Sequence, residues 1–152
     1  VLRYHLPREP SAPRLALWRA VRRLGALQLG DGLVALPHSA RNLEHLQWLA
    51  ADIAEHAGTA TVWHARPDSA RDHAALASAM QRAVAAEYEA VVAEAEAASG
   101  EQVDEAEVRR IVRRLRGQLR RIGQRDHFGA PSGEIAREVV ERLARAVEAI
   151  PA

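Results

Sequence analysis

The spacing of apolar residues changes character once along this chain, near Pro67, and that change restricts the fold more than any other feature. Before it, period-2 alternation and period-3.6 stripes take turns; after it only the helical stripe persists. Leu2, Tyr4 and Leu6 alternate with Arg3 and His5, the pattern of a half-buried strand stopped by Pro7. Ser11 is a candidate helix cap and Pro13 suits a first turn, where its missing N–H is no loss. The helix that follows presents Leu17, Trp18, Val21 and Leu24 and is ended by Gly25. Leu27–Leu29 and Leu33–Leu36 flank Gly30-Asp31-Gly32, a tight hairpin turn. Leu43, Leu46, Leu49, Ala50, Ile53 and Ala57 form a second amphipathic stripe closed by Gly58, and Thr59–Ala65 reads as a fourth strand.

Strand, helix, strand, strand, helix, strand is the order of a ferredoxin-like βαββαβ sandwich, with a four-stranded antiparallel sheet and both helices on one face. Residues 1–66 are assigned to that subdomain. Residues 67–152 are read as a helical extension of about three helices packed on it, which makes the chain an α+β protein. Ser69 caps a helix running to about Ala98, broken by Ser99-Gly100. A second runs from about Val103 to Ile122, with Val108, Ile111, Val112, Leu115, Leu119 and Ile122 inward. Gly129–Gly133 is expected as a loop, and Ile135, Val139, Val140, Leu143 and Val147 pattern a last helix ending at Pro151. Trp18, Trp48 and Trp63 are expected in the core, with Trp63 alone able to reach an open sheet face as a base-stacking platform.

Charge is segregated. There are 21 basic and 20 acidic residues, a formal net charge of +1, and every basic residue is Arg. Glu87 to Glu107 holds acids and no base, whereas Arg109 to Arg125 holds arginines and no acid. Arg3, Arg8, Arg14, Arg19, Arg22 and Arg23 face a single acid, Glu9, near the amino end. Blocks of like charge ask for partners inside or outside the molecule. No cysteine is present, so a disulfide framework, a thiolate metal site and a cysteine nucleophile are excluded. The absence of Lys excludes a Schiff-base lysine and a Walker-type loop. No apolar run approaches the ~20 residues of a membrane span, and the first residues lack a secretion-signal h-region. The expectation is a soluble cytoplasmic protein.

The segment LPREPSAPRLALWRAVRRLGALQLGDGLVALP (Leu6–Pro37) resembles the amino-terminal domain of the ChrB chromate-resistance regulators. EHLQWLAADIAEHAG (Glu44–Gly58) falls where that family has its second helix, and RDHFGAP (Arg125–Pro131) is similar to its RD-aromatic-FGAP element. The resemblance implies a bacterial transcriptional regulator of chromate resistance, a DNA partner and chromate as effector. The first 66 residues are more distantly similar to the ferredoxin-like domains of phenylacetate-pathway repressors and of small CRISPR adaptation nucleases. The nuclease pattern has an Asp after the strand tyrosine; here that place is His5, after Tyr4.

Candidate site residues follow from the arginine blocks. Phosphate contact needs several cations on one surface, since each contact releases counterions. Arg8, Arg14, Arg19, Arg22 and Arg23 form the first set, and Arg113, Arg116 and Arg120 the second, with Arg109 on the same helix edge. Pairing of the second block with Glu87, Glu89, Glu94 and Glu96 across an antiparallel hairpin is the competing reading. Arg125, His127, Gly129 and Gly133, beside a helix start, form a weaker candidate nest for a tetrahedral oxyanion such as chromate. His5 and His64 could meet across neighbouring strands, but two histidines without a carboxylate make a poor metal site. No metal, cofactor or catalytic constellation is expected. The leading expectation is a DNA-binding or dimerising domain, most simply homodimeric. The alternatives are a protein-interaction scaffold and an oxyanion sensor.

Overall fold

The computed structural model describes residues 1–100 and 104–148. Four strands are present: β1 (Leu2–His5), β2 (Leu27–Gly30), β3 (Leu33–Ala35) and β4 (Thr59–Val62). The helices are α1 (Ser11–Leu24), α2 (Ala40–Glu55), α3 (Ala70–Gly100), α4 (Glu105–Gly123) and α5 (Pro131–Glu148). By internal packing the chain divides into two compact units, Val1–Met80 and Gln81–Ala152, so the division falls inside α3. The change from sheet to helix along the sequence falls between β4 and α3.

In the first unit the four strands form one antiparallel sheet in the order β2-β3-β1-β4. Leu2 lies opposite Val34 on one side and Val62 on the other, and Tyr4 lies opposite Ala60. Strand alternation therefore sends these five to one face, where they meet Leu17 and Val21 of α1 and Leu46 and Ile53 of α2 in a single apolar core. Arg3, His5, Leu33, Thr59 and Thr61 alternate to the other face.

Two glycines are fixed by close approach. Gly32 has φ +67°, its carbonyl accepts from the Tyr4 N–H at 2.7 Å, and a Cβ there would stand 2.2 Å from the Tyr4 carbonyl oxygen. A Cβ on Gly58 would meet the His5 carbonyl and the Ile53 side chain at 2.6 Å. Gly58 is thus required by packing, while the left-handed turn that ends α2 is taken by Ala57 at φ 57°. Gly58 still helps close the helix as expected, its N–H donating to the Ile53 carbonyl at 2.9 Å, but the left-handed position falls one residue earlier. At the start of α2 the Ser39 hydroxyl accepts from the Asn42 N–H at 3.0 Å, a cap legible as Ser-x-x-Asn.

Four expectations are corrected. Ser11 is the first residue of α1 and not its cap: Pro10 holds the cap position, extended at φ −70°, with no side-chain cap bond. Pro fixes φ near that value by itself, so the turn into the helix needs no hydroxyl. β4 stops at Val62, although the Trp63 N–H still bonds the Val1 carbonyl at 2.7 Å. Pro131, Ser132 and Gly133 are the first turn of α5 and not loop, because Pro at the first helical position loses no hydrogen bond. The three tryptophans are not core: Trp18, Trp48 and Trp63 are 51%, 70% and 58% exposed. At ~100° per residue Trp18 is a quarter-turn off Leu17, and its indole lies on the outer face beside Arg22.

In the second unit, Val84, Tyr88, Val91 and Ala95 of α3 pack with Val108, Val112, Leu115 and Ile122 of α4 and Ala136, Val140 and Leu143 of α5. Every predicted inward residue of α4 belongs to this core, Ile111 and Leu119 at its edge. Ser69 caps α3 as expected, its hydroxyl accepting from the Asp72 N–H at 3.0 Å. The expected helix start at Val103 and end at Pro151 lie outside the described residues.

Candidate nucleic-acid interface

α1 carries no acid over its 14 residues. Leu17 and Val21 turn inward, so Arg14, Arg19, Arg22 and Arg23 are left on exposed surface, with Arg8 in the segment leading to the helix. None of these five forms an ion pair among the described residues. The Arg22 guanidinium lies 4.9 Å from the centre of the Trp18 ring, and Leu15 shares the exposed face. Arg22 and Arg23 occupy the last turn, where cations complement the helix dipole before the left-handed Gly25 cap. A ridge of uncompensated guanidinium groups around one exposed indole is a surface suited to phosphate.

The α4 arginines are in a different situation. On one edge, Arg114 pairs with Glu94 of α3, and Arg125, just past the helix, grips Glu87 with two bonds of 2.7 and 2.8 Å. Glu87 and Glu94 therefore do what the antiparallel-hairpin reading anticipated; Glu89 and Glu96 are exposed and form no ion pair among the described residues. On the opposite edge, Arg109, Arg113, Arg116 and Arg120 line a groove of about 370 Å³ floored by Val112, Ala144 and Val147. Arg109 pairs with Glu105 in its own helix. Arg116 binds Glu141 of α5 in a two-bond fork of 2.9 and 2.7 Å. Glu141 was not singled out in the sequence, yet this fork holds its carboxyl below the ordinary value of 4.5, and the nearby Arg116 and Arg145 charges add to the effect against slight burial. Arg113 and Arg120 are exposed and make no ion pair among the described residues.

The 125–133 segment is a corner between α4 and α5. Arg125 is committed to Glu87. The Asp126 carboxylate accepts from the Ala130 N–H at 3.0 and 2.9 Å and from the Tyr88 hydroxyl at 3.2 Å. The chain's own carboxylate thus sits at the N-terminal pole of α5, where an external oxyanion would have to bind. Tyr88 is pushed above its ordinary 10.0 by burial first and by the Asp126 charge second. Gly129 takes φ +66°, its carbonyl and that of Phe128 accept from the Gln81 side chain, and Gly133 passes 3.0 Å from the Tyr88 ring when given a Cβ. Phe128 and His127 are only half-buried at this corner. Within RDHFGAP, Asp126 thus ties the corner to the start of α5 and to Tyr88, and the Phe128 and Gly129 carbonyls tie it to Gln81.

His5 lies opposite Thr59, and His64 is beside His38 with ring centres 5.2 Å apart, so His5 and His64 are not brought together. Among the described residues no three His, Cys, Asp or Glu side chains cluster as metal ligands, and no helix is long and apolar enough to cross a membrane.

Comparison with known proteins covers RDHFGAP and the Arg14–Pro37 part of the amino-terminal motif, and leaves Leu6–Pro13 outside the match. No curated protein and no solved structure matches the chain. The family model described as "Protein ChrB, N-terminal" matches residues 14–151, nearly the entire sequence. This chain belongs to the ChrB N-terminal family of chromate-resistance proteins.

Proposed function

We propose that this domain is the DNA-binding or dimerising part of a ChrB-like transcriptional regulator of chromate resistance, non-enzymatic, bacterial, cytoplasmic and homodimeric. The strand order β2-β3-β1-β4 with α1 and α2 on one face supports reading the first unit as a ferredoxin-like sandwich. The observation that carries the DNA reading is the acid-free α1 ridge: Arg8, Arg14, Arg19, Arg22 and Arg23, exposed and without ion pairs among the described residues. Phosphate contacts position a protein on a duplex through such cations, and Trp18 beside Arg22 adds an apolar contact at the centre. Arg113, Arg116 and Arg120 are a weaker set for this purpose. Arg116 is engaged by Glu141, and the groove they line has an apolar floor that a phosphate backbone does not use. The oxyanion reading of Arg125, His127, Gly129 and Gly133 is disfavoured by Asp126 standing at the helix start.

Fluorescence anisotropy with the duplex upstream of the gene tests the proposal. Affinity falls steeply with salt, each phosphate contact adding about 0.9 to the slope of log K against log salt. Replacing Arg19, Arg22 and Arg23 by Ala flattens that slope by roughly 2–3. Absence of binding at low salt overturns the DNA reading.

A further inference from the structure

α4 has two arginine edges, and only one of them is met by an acidic helix. On the met edge α3 runs antiparallel to α4, with Glu94 on Arg114 and Glu87 on Arg125. The two acids are seven residues apart, about 10.5 Å along the helix at ~1.5 Å per residue. On the other edge Arg113 and Arg120 are also seven residues apart, exposed and without ion pairs among the described residues, above a floor of Val112, Ala144 and Val147.

α3 carries a second pair of acids at the same spacing. Glu89 and Glu96 point away from the core side defined by Tyr88, Val91 and Ala95, and both are exposed. The exposed positions beside them, Ala86 and Ala93, are small, so a neighbouring backbone can come close. The chain thus holds an unpaired acidic pair and an unpaired arginine pair with equal rise, on different faces of one unit.

We propose that the α4–α5 groove receives the outer face of α3 from a second copy of this chain. The helices dock antiparallel, Glu89 on Arg120 and Glu96 on Arg113, in the same antiparallel sense in which Glu87 and Glu94 meet Arg125 and Arg114 within one chain. The alanines of the incoming helix rest on the apolar floor. A two-fold axis would make the contact reciprocal and double its area. This deepens the dimerising half of the proposed function and is independent of DNA contact by α1.

Charge reversal in the full chain tests it, read by sedimentation velocity, with circular dichroism confirming that each variant is folded. The wild type self-associates at low salt, and its dissociation constant rises by about tenfold or more toward 1 M salt, where screening acts over ~3 Å. The double variants Glu89→Arg/Glu96→Arg and Arg113→Glu/Arg120→Glu are each monomeric alone. Mixed in equal amounts they associate, because both contacts of the mixed pair are complementary again. A wild type that stays monomeric at low salt overturns the inference. So does a variant that still dimerises alone, or a mixture that stays monomeric. Duplex DNA binding lost only in Arg113→Glu/Arg120→Glu would assign the groove to phosphate and equally overturn it. None of these results bears on whether Arg19, Arg22 and Arg23 contact DNA.

Discussion

Gly32 illustrates how one atom decides a turn. Its φ of +67° is open to glycine at little cost, and a Cβ would stand 2.2 Å from the Tyr4 carbonyl oxygen. The left-handed conformation alone costs an L-residue ~1–2 kcal/mol, and the contact with backbone cannot be relieved by rotating a side chain. Gly32→Ala is therefore expected to destabilise the sheet unit by roughly 2–3 kcal/mol. Gly30→Ala, two residues away with nothing within 4 Å of the added carbon, serves as the control and loses less than ~1 kcal/mol. Equal melting temperatures for the two variants would refute the steric account. Asp126 offers a second residue-level test. Its charge contributes to the raised pKa of Tyr88, after burial and ahead of their hydrogen bond. In a Tyr4→Phe background, which leaves Tyr88 as the one phenol, Asp126→Asn moves the Tyr88 absorbance titration back toward 10.0. An unmoved titration would mean that burial alone sets it.

At the scale of elements, helix stripes were legible because each buried row recurs with the helical period. Val108, Val112, Leu115 and Ile122 are spaced 4, 3 and 7 apart, and all are buried. What the spacing concealed was rotation within a stripe. Trp18 is adjacent to Leu17 in sequence and ~100° away around the helix, so hydrophobicity placed it inside while geometry put it beside Arg22. The same rotation explains the acidic segment: Glu87 and Glu94 flank the α4 side of α3, whereas Glu89 and Glu96 face outward. Candidate site residues were legible as a charge block, but not which members were already taken, because Glu141 lies 25 residues from Arg116. The Arg116–Glu141 fork has a pH signature of defined sign. The fork holds the folded pKa of Glu141 below 4.5, so its stabilisation is present above that value and lost as pH falls through the lowered one. With side chains 43% and 51% exposed, the fork contributes ~0–1 kcal/mol. Glu141→Gln should lower the melting temperature slightly at neutral pH, and the gap to wild type should close on acidification. A gap that widens in acid would assign the stabilisation to another group.

For the whole molecule, two separate apolar clusters imply two separable cooperative units. Leu2, Val34, Leu46 and Ile53 anchor one, and Tyr88, Leu115, Val140 and Leu143 anchor the other. The net charge of +1 conceals a parallel division. The first unit keeps the arginines of α1 uncompensated, while the second satisfies a good part of its arginine block with Glu87, Glu94 and Glu141. A core substitution in one unit is therefore expected to act locally. Leu115 is fully buried, and truncating such a leucine costs ~2–5 kcal/mol through lost transfer energy and the cavity left behind. Native-state hydrogen exchange locates that cost. Leu115→Ala should speed exchange of the amides of α4, α5 and the carboxy-terminal part of α3, while the β1 and β4 ladder amides keep their wild-type protection. Ile53→Ala in α2 should give the mirror pattern, exposing the sheet amides and sparing α4 and α5. Loss of protection in both units from either substitution would show that they unfold as one. The charge division would then be a property of the surface alone and not of two folding units.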